Sequence, residues 1–184
     1  MNKIEQDFLY AIRLHAQFDE VWLPVKGYLN YEVSSRGRVT NIKKKTILKP
    51  QLLSTGYHYF ELCRHGKATK TVIHRLVAMT FIPNLENKPC IDHIDYNRLN
   101  NNVDNLRWCT YSENGMNKIK QRNNTSGIVG VCWNKSKQKW RARLNIDGVE
   151  KHLGYFNSMK AAKSARIKAV NSMFGVFANK KTNC

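Results

Sequence analysis

Short hydrophobic runs separated by polar and glycine-rich breaks make up the first half of the chain. Residues 4 to 18 place Phe8 and Ile12 at helical spacing, which predicts a lead helix. Short alternating runs follow, a pattern typical of small antiparallel strands. The run "GYHYFELCRHGKATKTVIHRL" predicts a β-hairpin that turns at residues 65 to 67, and "VIHRLVAMTFIPN" predicts a short buried helix that ends before Pro83.

The next stretch, "IDHIDYNRLNNNVDNLRWCTYSENGMN", is unusually rich in asparagine, a poor former of helices and strands. Its pattern predicts a strand at residues 91–94, a wide polar turn at 97–104 and a return strand at 106–110. Ser112 is then expected to cap a helix over residues 113–119. The predicted local order is therefore strand, loop, strand and helix.

A different pattern begins after residues 118 to 127, which are polar, unpatterned and expected to form a linker. "GIVGVCWN" predicts a strand, and "KWRARLNI" alternates strictly between an apolar face and a face that holds Arg141, Arg143 and Asn145. Asp147–Gly148 predicts a two-residue turn, from which "VEKHLGYF" returns. An Ala-rich helix follows, whose predicted buried stripe consists of Ala162, Ala165, Ala169, Val170 and Met173.

The charge of the chain points to a polyanionic partner. Hydrophobic residues make up 42% of its 184 residues, which is enough for a packed core. The formal net charge is +18, and nucleic acid is the usual partner of such a protein. Residues 118–184 hold fifteen Lys and Arg against two acidic residues, which is thirteen of the eighteen net charges. The alternative is a basic surface without a specific partner.

The cysteines and the first residues of the chain indicate the cellular compartment in which the protein is expected. Five cysteines, an odd number without a C-x-x-C pair, argue against a zinc ribbon and a disulfide framework. Glu5 and Asp7 interrupt the start, so no signal peptide is expected. No run approaches the ~18 apolar residues of a membrane helix. We therefore expect a protein of the cytoplasm without membrane association, in the host cytoplasm if a phage encodes it. We also expect the protein to be a monomer.

Asp92 and His93 are neighbours of the types that phosphodiester hydrolysis needs. That reaction takes an activated water and a cation that absorbs charge on the phosphate oxygens. Asp92 offers a hard oxygen ligand for Mg²⁺, and a histidine such as His93 titrates near neutrality, as a general base should. Asn114, on the predicted helix, can offer the same ion a second oxygen. Asn105 can hold the loop by bonding to backbone groups.

The spacing of these residues resembles that of the HNH endonucleases with the ββα-metal fold: D-H, then asparagine twelve and twenty-one residues after the histidine. It is similar to the phage homing-endonuclease branch, in which asparagine replaces the last histidine. "VWLPVKGYLNYEVSSRGRVTNI" resembles the N-terminal modular domain of these enzymes, and "HRLVAMTFIPN" resembles the segment before their site. The resemblance implies that Asp92 and Asn114 bind one divalent ion. It also implies that His93 activates water and that Asn105 orients the His93 loop.

Residues 127–178 resemble the AP2 DNA-binding domain, which is also found fused to phage HNH nucleases. The matching runs are "GVCWN", "KWRARL" and "HLGYF", followed by the Ala-rich helix. In that family the sheet enters the major groove. Glu150 departs from the basic residue that plant members carry there, so their base preference does not transfer. The resemblance places on the DNA-facing strands Arg141, Arg143, Asn145, Glu150 and His152.

Further residues of these stretches have expected roles. Arg107 either touches a phosphate or serves the fold, and both explanations stay open. Asp95 and Glu113 are expected to be structural, Trp133 to lie in the core with Trp140, and His74 to make a structural hydrogen bond. The basic residues added to the candidate DNA contacts are Lys135, Lys137, Arg107, Arg36 and Arg38.

Pattern and resemblance together predict an α+β chain of three regions. A small antiparallel DNA-binding module is expected at residues 1–70, the ββα-metal HNH nuclease core at 71–120, and a linker with the AP2-like sheet and helix at 121–184. The predicted function is a site-specific homing endonuclease for double-stranded DNA that uses one Mg²⁺, for which Mn²⁺ can substitute. A single active site favours nicking, and the resemblance implies 5′-phosphate and 3′-hydroxyl ends.

Two other classes of protein stay open at this point. One is a non-catalytic DNA-binding regulator built on the AP2-like region, and the other is a basic RNA-binding protein. Mg²⁺-dependent nicking of plasmid DNA excludes the first, because a regulator leaves the backbone intact. Competition by duplex RNA distinguishes the second.

Overall fold

The computed structural model describes residues 3–16, 19–116, 124 and 126–175. The chain divides into two compact units, residues 1–108 and residues 109–184. Within the described residues the fold is mixed α+β, with four α-helices and four small sheets. The predicted α+β class is therefore confirmed, while the three predicted regions and their boundaries stay predictions.

The first unit begins with an exposed helix and a four-stranded antiparallel sheet. Helix α1 buries none of its side chains, and Phe8 is 59% exposed. Among the described residues no helix is long and apolar enough to cross a membrane. The elements, with the strands adjacent in chain order, are α1 (Lys3–His15), β1 (Trp22–Pro24), β2 (Tyr31–Ser34), β3 (Val39–Asn41) and β4 (Thr46–Ile47).

A three-stranded antiparallel sheet, a buried helix and a two-stranded sheet follow. The turn between the second and third strands lies at residues 65–66, and the helix ends before Pro83, as the sequence predicts. The elements are β5 (Gln51–Leu52), β6 (His58–Arg64), β7 (Lys67–Val72), α2 (Ile73–Phe81), β8 (Cys90–His93), a 3₁₀ turn (Val103–Asn105) and β9 (Leu106–Cys109).

The core of the first unit packs helix α2 against its sheets. Helix α2 buries Ile73, Val77 and Phe81, because apolar residues recur on that face at every fourth position. Val33 of β2 and Leu62 of β6 belong to the same cluster and are fully buried. Helix α2 also contacts β8. The strand that ends in the D-H pair is therefore held against the core.

The turn after β2 lets the asparagine-rich loop approach closely. Gly37 has a φ of 81°, and a Cβ atom on it would lie 2.8 Å from the Cβ of Asn101. Glycine adopts this φ without strain and leaves room for the contact. The backbone N–H of Val103 donates to the carbonyl oxygen of Ser35 at 2.8 Å. The loop is thereby tied to the first sheet.

The second unit contains a short helix and a three-stranded antiparallel sheet against which a long helix packs. Asp147 and Gly148 have φ values of 50° and 83°, which suits the predicted two-residue turn. The strands on either side of this turn have the predicted bounds. The elements are α3 (Tyr111–Met116), β10 (Val131–Asn134), β11 (Lys139–Ile146), β12 (Val149–Phe156) and α4 (Met159–Phe174).

The buried face of α4 differs from the predicted stripe. Its buried side chains are Ala162, Arg166 and Val170, at every fourth position, which centres the face on an arginine. Met173 was expected in this face and is 42% exposed, so that prediction is wrong. Burial lowers the pKa of Arg166 to about 10. The hydrophobic pattern missed this face because its middle residue is charged.

Helix α3 is capped by a residue other than the predicted Ser112. The hydroxyl of Thr110 accepts from the backbone N–H of Glu113 at 3.1 Å, and the Glu113 carboxylate accepts from the N–H of Thr110 at 2.6 Å. This reciprocal pair is a capping box, which gives Glu113 the expected structural role. Ser112 instead donates to the Asp147 carboxylate at 2.7 Å. The predicted helix end at residue 119 lies outside the described residues.

The two tryptophans of the sheet differ in burial. Trp140 is half-buried and packs against the core cluster of the second unit. Trp133 was expected in the core but is 42% exposed, so that prediction is wrong. The reason is its place on β10, an edge strand, where a side chain has a neighbour on one side only. The two rings meet edge to face with their centroids 5.4 Å apart.

Candidate active site

Strand β8 ends with two buried polar residues, Asp92 and His93. Each is 5% exposed. As neighbours on a strand they point to opposite faces, and their partners differ accordingly. Asp92 contacts Arg107 on β9, whereas His93 contacts Asn101 in the loop between the strands. The structure thus puts the predicted metal ligand and the predicted base side by side in the chain but in separate surroundings.

Asp92 is held by a two-point ion pair. The Nε and Nη2 atoms of Arg107 donate to the same carboxylate oxygen, Oδ2, at 2.9 and 2.7 Å. The side chains are 17% exposed for Arg107 and 6% exposed for Asp92. Burial makes such a pair sensitive to the loss of either partner, because the charge left behind has little water. Arg107, for which the sequence leaves open a phosphate contact and a structural role, therefore contacts the predicted metal ligand.

His93 is a buried imidazole in polar and aromatic surroundings. Its Nε2 lies 3.4 Å from Oδ1 of Asn101, which is a long hydrogen bond. Burial lowers the pKa of His93 below its ordinary value, and the bond to Asn101 and the charge of Asp92 oppose that shift only in part. The neutral ring is the form that accepts a proton, so the environment favours a general base at neutral pH.

A second histidine and a tyrosine surround the His93 ring. The ring centroid of His74 lies 5.2 Å from that of His93 and 4.8 Å from that of Tyr57. Burial, followed by the charges of His93 and Arg75, lowers the pKa of His74 to about 4. The Nδ1 atom of His74 is buried and has no hydrogen-bond partner among the described residues. The hydrogen bond expected of this residue is therefore not found at Nδ1.

Asn105 closes the loop that follows His93. Its Oδ1 accepts from the backbone N–H of Asp95 at 3.0 Å. Its Nδ2 donates to the Asp95 carboxylate and to the carbonyl oxygen of Asn100, both at 2.8 Å. The backbone N–H of Ile94 donates to the Asn105 carbonyl at 2.9 Å. The side chain makes the backbone bonds that the sequence predicts, and it is 9% exposed.

Most of the other asparagines of the loop serve its backbone. Their side-chain oxygens accept from N–H groups two residues ahead, which is the bond of an Asx turn. Asp95 joins this network. Partial burial acts to raise its pKa, but hydrogen bonds from Asn100, the Asn97 N–H and Asn105 together hold the pKa below its ordinary value. The Asx bonds are Asn97 to Leu99 at 3.1 Å, Asn100 to Asn102 at 3.4 Å and Asn102 to Asp104 at 3.1 Å.

Asn114 lies on α3, in the second unit, and its side chain is half-buried. Its backbone N–H donates to the carbonyl oxygen of Thr110 at 3.0 Å in the first turn of the helix. The resemblance makes this residue the second ligand of the ion at Asp92. That assignment stays a prediction.

The donor atoms around Asp92 suit a hard, weakly caged cation. Among the described residues no group of three or more His, Cys, Asp or Glu side chains could hold a metal ion. A closed zinc site of these ligands is therefore absent from that part of the chain. Mg²⁺ binds differently, through one or two protein oxygens with water and phosphate completing its shell. The buried carboxylate of Asp92 offers an oxygen to an ion of this kind, while the guanidinium of Arg107 already bound to it opposes a second positive charge.

The exposed face of the C-terminal sheet carries the candidate DNA contacts. Across β11 and β12, Arg143 is opposite His152 and Asn145 is opposite Glu150. Glu150 forms ion pairs with Arg141 and, at 2.5 Å, with Arg143. The hydrogen bond from Arg143 and the charges of both arginines hold the pKa of Glu150 below its ordinary value. The acidic residue that departs from the AP2 pattern thus neutralises part of the basic face.

The remaining basic candidates are exposed side chains of two regions. Lys137 lies over the ring of Tyr155 with Nζ 4.4 Å from its centroid, and Lys135 is exposed in the same turn. In the first unit Arg36 is exposed in the turn after β2. Arg38 donates through Nε to Glu20 at 2.8 Å and stacks over Trp22 at 5.3 Å.

Sequence reasoning missed three neighbours of the candidate base. Asn101, Tyr57 and the ring of His74 approach His93 only after the hairpin, helix α2 and the loop have packed together. The excess of asparagines was the signal for a structured loop, but nothing in their spacing selected Asn101. The sequence predicts a structural role for His74, but nothing in it indicates the contact with the ring of His93.

Two protein-family models match parts of the first 116 residues. The model of the NUMOD4 motif matches residues 20–63, and a model described as HNH endonuclease matches residues 72–116. Neither match reaches the C-terminal sheet and α4. The AP2-like interpretation of that region is therefore not shown by these matches.

Relatives with sequence similarity are viral and phage proteins. The DNA endonuclease I-HmuI of Bacillus phage SP01 is 37% identical over 132 residues, 71% of this chain and 75% of that protein. The uncharacterized HNH endonuclease L245 of Acanthamoeba polyphaga mimivirus is 40% identical over 100 residues, 54% of this chain and 30% of that protein. The H-N-H endonuclease F-TflII of Escherichia phage T5 is 34% identical over 102 residues, 54% of this chain and 53% of that protein. The match thus spans less than a third of the mimivirus protein and about half of the phage T5 protein.

A solved structure agrees with the sequence match. The HNH homing endonuclease I-HmuI, in a structure of DNA binding and cleavage, has a TM-score of 0.50 and 30% identity to this chain. The match covers 88% of this chain and 94% of that one. With Asp92, His93 and Asn105 arranged on the two-stranded sheet and its loop, this chain belongs to the HNH homing endonucleases.

Proposed function

We propose that this chain is a site-specific DNA endonuclease that nicks double-stranded DNA with one bound divalent ion. The observation that carries the proposal is the pair at the end of β8, a buried carboxylate beside a buried imidazole whose pKa is lowered. Family membership supports the assignment of hydrolysis to this pair, because phosphodiester hydrolysis needs a base and a cation. We further propose that the chain acts as a monomer.

His93 is the proposed general base. A base must be unprotonated when water attacks, and burial keeps this imidazole neutral at pH 7. It must also keep one orientation. Asn101 contacts its Nε2, and the His74 ring packs against it edge to face. Asn105 is the proposed catalytic helper that holds the following loop in place through Asp95.

Asp92 and Asn114 are the proposed ligands of the ion, Mg²⁺ with Mn²⁺ as a substitute. When bound, the ion supplies positive charge to the phosphate oxygens as negative charge develops there. The carboxylate of Asp92 contributes the larger share of the binding because it carries a full charge, whereas an amide oxygen carries a partial one. The product ends expected from this family are a 5′-phosphate and a 3′-hydroxyl.

DNA binding is proposed for both ends of the chain. The AP2-like assignment of the second unit is supported by its three antiparallel strands, the helix that packs on them and the basic exposed face of β11 and β12. We assign base-edge contacts to Arg143 and Asn145, since arginine and asparagine match guanine and adenine edges. The residues proposed to contact the sugar-phosphate backbone of the DNA are Arg141, His152, Lys135, Lys137, Arg107, Arg36 and Arg38.

A plasmid assay tests the proposed function. Supercoiled DNA incubated with the full chain and Mg²⁺ should convert to the open circle, and excess EDTA should stop the conversion. Mapping of the cut should give one preferred site and a 5′-phosphate. Duplex RNA should compete poorly with the DNA. Binding without any Mg²⁺-dependent nicking would instead identify a non-catalytic DNA-binding regulator.

A further inference from the structure

We infer that Arg107 is a positioning residue that takes the place of the divalent ion in the metal-free protein and thereby weakens and regulates metal binding. The guanidinium neutralises Asp92 until the ion arrives, and binding of the ion requires Arg107 to release or share that carboxylate. The inference rests on the proposed function, in which Asp92 is a metal ligand. It adds a second cation to that site and assigns it to this chain.

The geometry of the pair supports this competition. Two nitrogens of Arg107 converge on the single oxygen Oδ2 of Asp92, at 2.9 and 2.7 Å. A hard cation would approach the same carboxylate for its negative charge. Two cations on one carboxylate repel each other, and the repulsion is stronger in a buried site than in water. Arg107 and the ion therefore weaken each other's hold on Asp92.

Burial explains why the pair is needed before the ion binds. The Asp92 side chain is 6% exposed, and a carboxylate with so little water destabilises a fold when it lacks a positive partner. Arg107 supplies that partner from the adjacent strand β9. Its own side chain is 17% exposed, so it is less enclosed than that of Asp92. A phosphate oxygen is a suitable second partner there, because guanidinium groups bind phosphate well.

The two roles considered for Arg107 are thus two states of one residue. In the metal-free protein it serves the fold through Asp92. With the ion and DNA bound, its charge moves toward the phosphate. The coupling is reciprocal. The ion weakens the bond between Arg107 and Asp92 by the same free energy by which that bond weakens the binding of the ion.

The test measures Mn²⁺ binding to the full chain without DNA, by calorimetry, together with thermal unfolding in EDTA. Arg107→Gln removes the charge and keeps a hydrogen-bond donor. It should bind Mn²⁺ roughly tenfold more tightly than the parent and unfold at a lower temperature in EDTA. Arg107→Lys keeps the charge and should bind close to the parent. Arg98→Gln is the matched control, since Arg98 bonds to the Thr55 carbonyl and stacks on Tyr57 instead.

The outcomes separate this inference from the proposed function. If Asp92→Asn leaves Mn²⁺ binding intact, the proposed metal site itself fails. If Asp92→Asn abolishes binding while Arg107→Gln binds Mn²⁺ no more tightly than the parent, only the inference is overturned. A lower unfolding temperature alone would show a structural role. Should Arg107→Gln fail to fold, Arg107→Lys decides the matter, because an affinity well below that of the parent overturns the inference.

Discussion

Two acid–arginine clusters in this protein have the same chemistry and opposite surroundings. Asp92 and Arg107 on β8 and β9 are almost completely shielded, with side-chain exposures of 6% and 17%. Glu150 lies between Arg141 and Arg143 on the sheet of the second unit, and these side chains are 28 to 47% exposed. Water and salt screen the second cluster and reach little of the first.

Because they differ in burial, the two clusters affect the protein in different ways. A buried charge without an opposite charge beside it destabilises the fold, so the buried carboxylate of Asp92 requires a positively charged partner. An exposed carboxylate between two arginines changes the surface potential and contributes little to the fold. The first cluster suits a site that exchanges one cation for another. The second suits a face whose attraction for DNA is moderated by an acidic residue.

The largest expected effect comes from breaking the buried pair. Asp92→Ala removes the carboxylate from the buried ion pair with Arg107 and should lower the free energy of unfolding by roughly 3 kcal/mol. It should also abolish nicking. Glu150→Ala, the matched change in the exposed cluster, should cost far less, because water and salt screen its ion pairs. Urea denaturation of both variants measures this, and similar losses would contradict the contrast between the clusters.

The free energy of unfolding should fall in acid, because His74 is buried as a neutral ring near β8. The pKa of His74 is lowered to about 4 in the folded protein. Between about pH 6.5 and 4, His74 is therefore protonated in the unfolded chain and neutral in the folded one. Stability contributed by the neutral ring is therefore present above the unfolded pKa and is lost as the pH falls. The loss should reach roughly 3 kcal/mol at pH 4.

His74→Gln removes the titrating group and should flatten that dependence in urea denaturation from pH 7 to 4. An unchanged slope in His74→Gln would show that other groups cause the acid dependence.

Asn105 tests whether the loop is a positioned part of the site. Asn105→Ala removes three side-chain hydrogen bonds and should cost roughly 1–3 kcal/mol of stability, because it leaves buried partners unsatisfied. Nicking should fall more than DNA affinity. Asn97→Ala, which removes one exposed Asx bond, should cost less than about 1 kcal/mol. Equal effects of the two changes would remove the special role of Asn105.

Much of the fold was predictable because it follows from local patterns. The strict alternation of β11 and the Asp147–Gly148 turn gave the C-terminal hairpin its bounds. The capping box of α3 was also visible, since threonine precedes glutamate by three residues, and the choice of Ser112 overlooked it. Predictions of this kind need only neighbours in the sequence.

The contacts that build the site were less predictable, because they depend on tertiary packing. Asp92 and Arg107 are fifteen residues apart and meet only once β8 pairs with β9. Asn101 approaches His93 because Gly37 leaves room for the loop. The burial of Arg166 was missed for a similar reason, since a hydrophobic pattern assigns charged residues to the surface. The D-H pair and Asn105 stood out because their spacing matches a family.

The smallest expected effect concerns the exposed cluster. Glu150→Gln removes the acidic group from the basic face, so DNA affinity should rise several-fold at low salt on all sequences. The logarithm of the binding constant should also depend more steeply on that of the salt concentration, by about one unit of slope. Gel-shift titrations at three salt concentrations measure both. Lower affinity would show instead that Glu150 contacts a base.

The central claim is that His93, at the end of β8, is the base of a nuclease, and His93→Ala tests it most directly. Single-turnover nicking with Mg²⁺ should fall by at least about a hundredfold, whereas DNA affinity by gel shift should stay within about twofold. His65→Asn, a change in an exposed turn with φ of 48°, serves as the matched control and should cut normally. Turnover of His93→Ala close to that of the parent protein would contradict the claim.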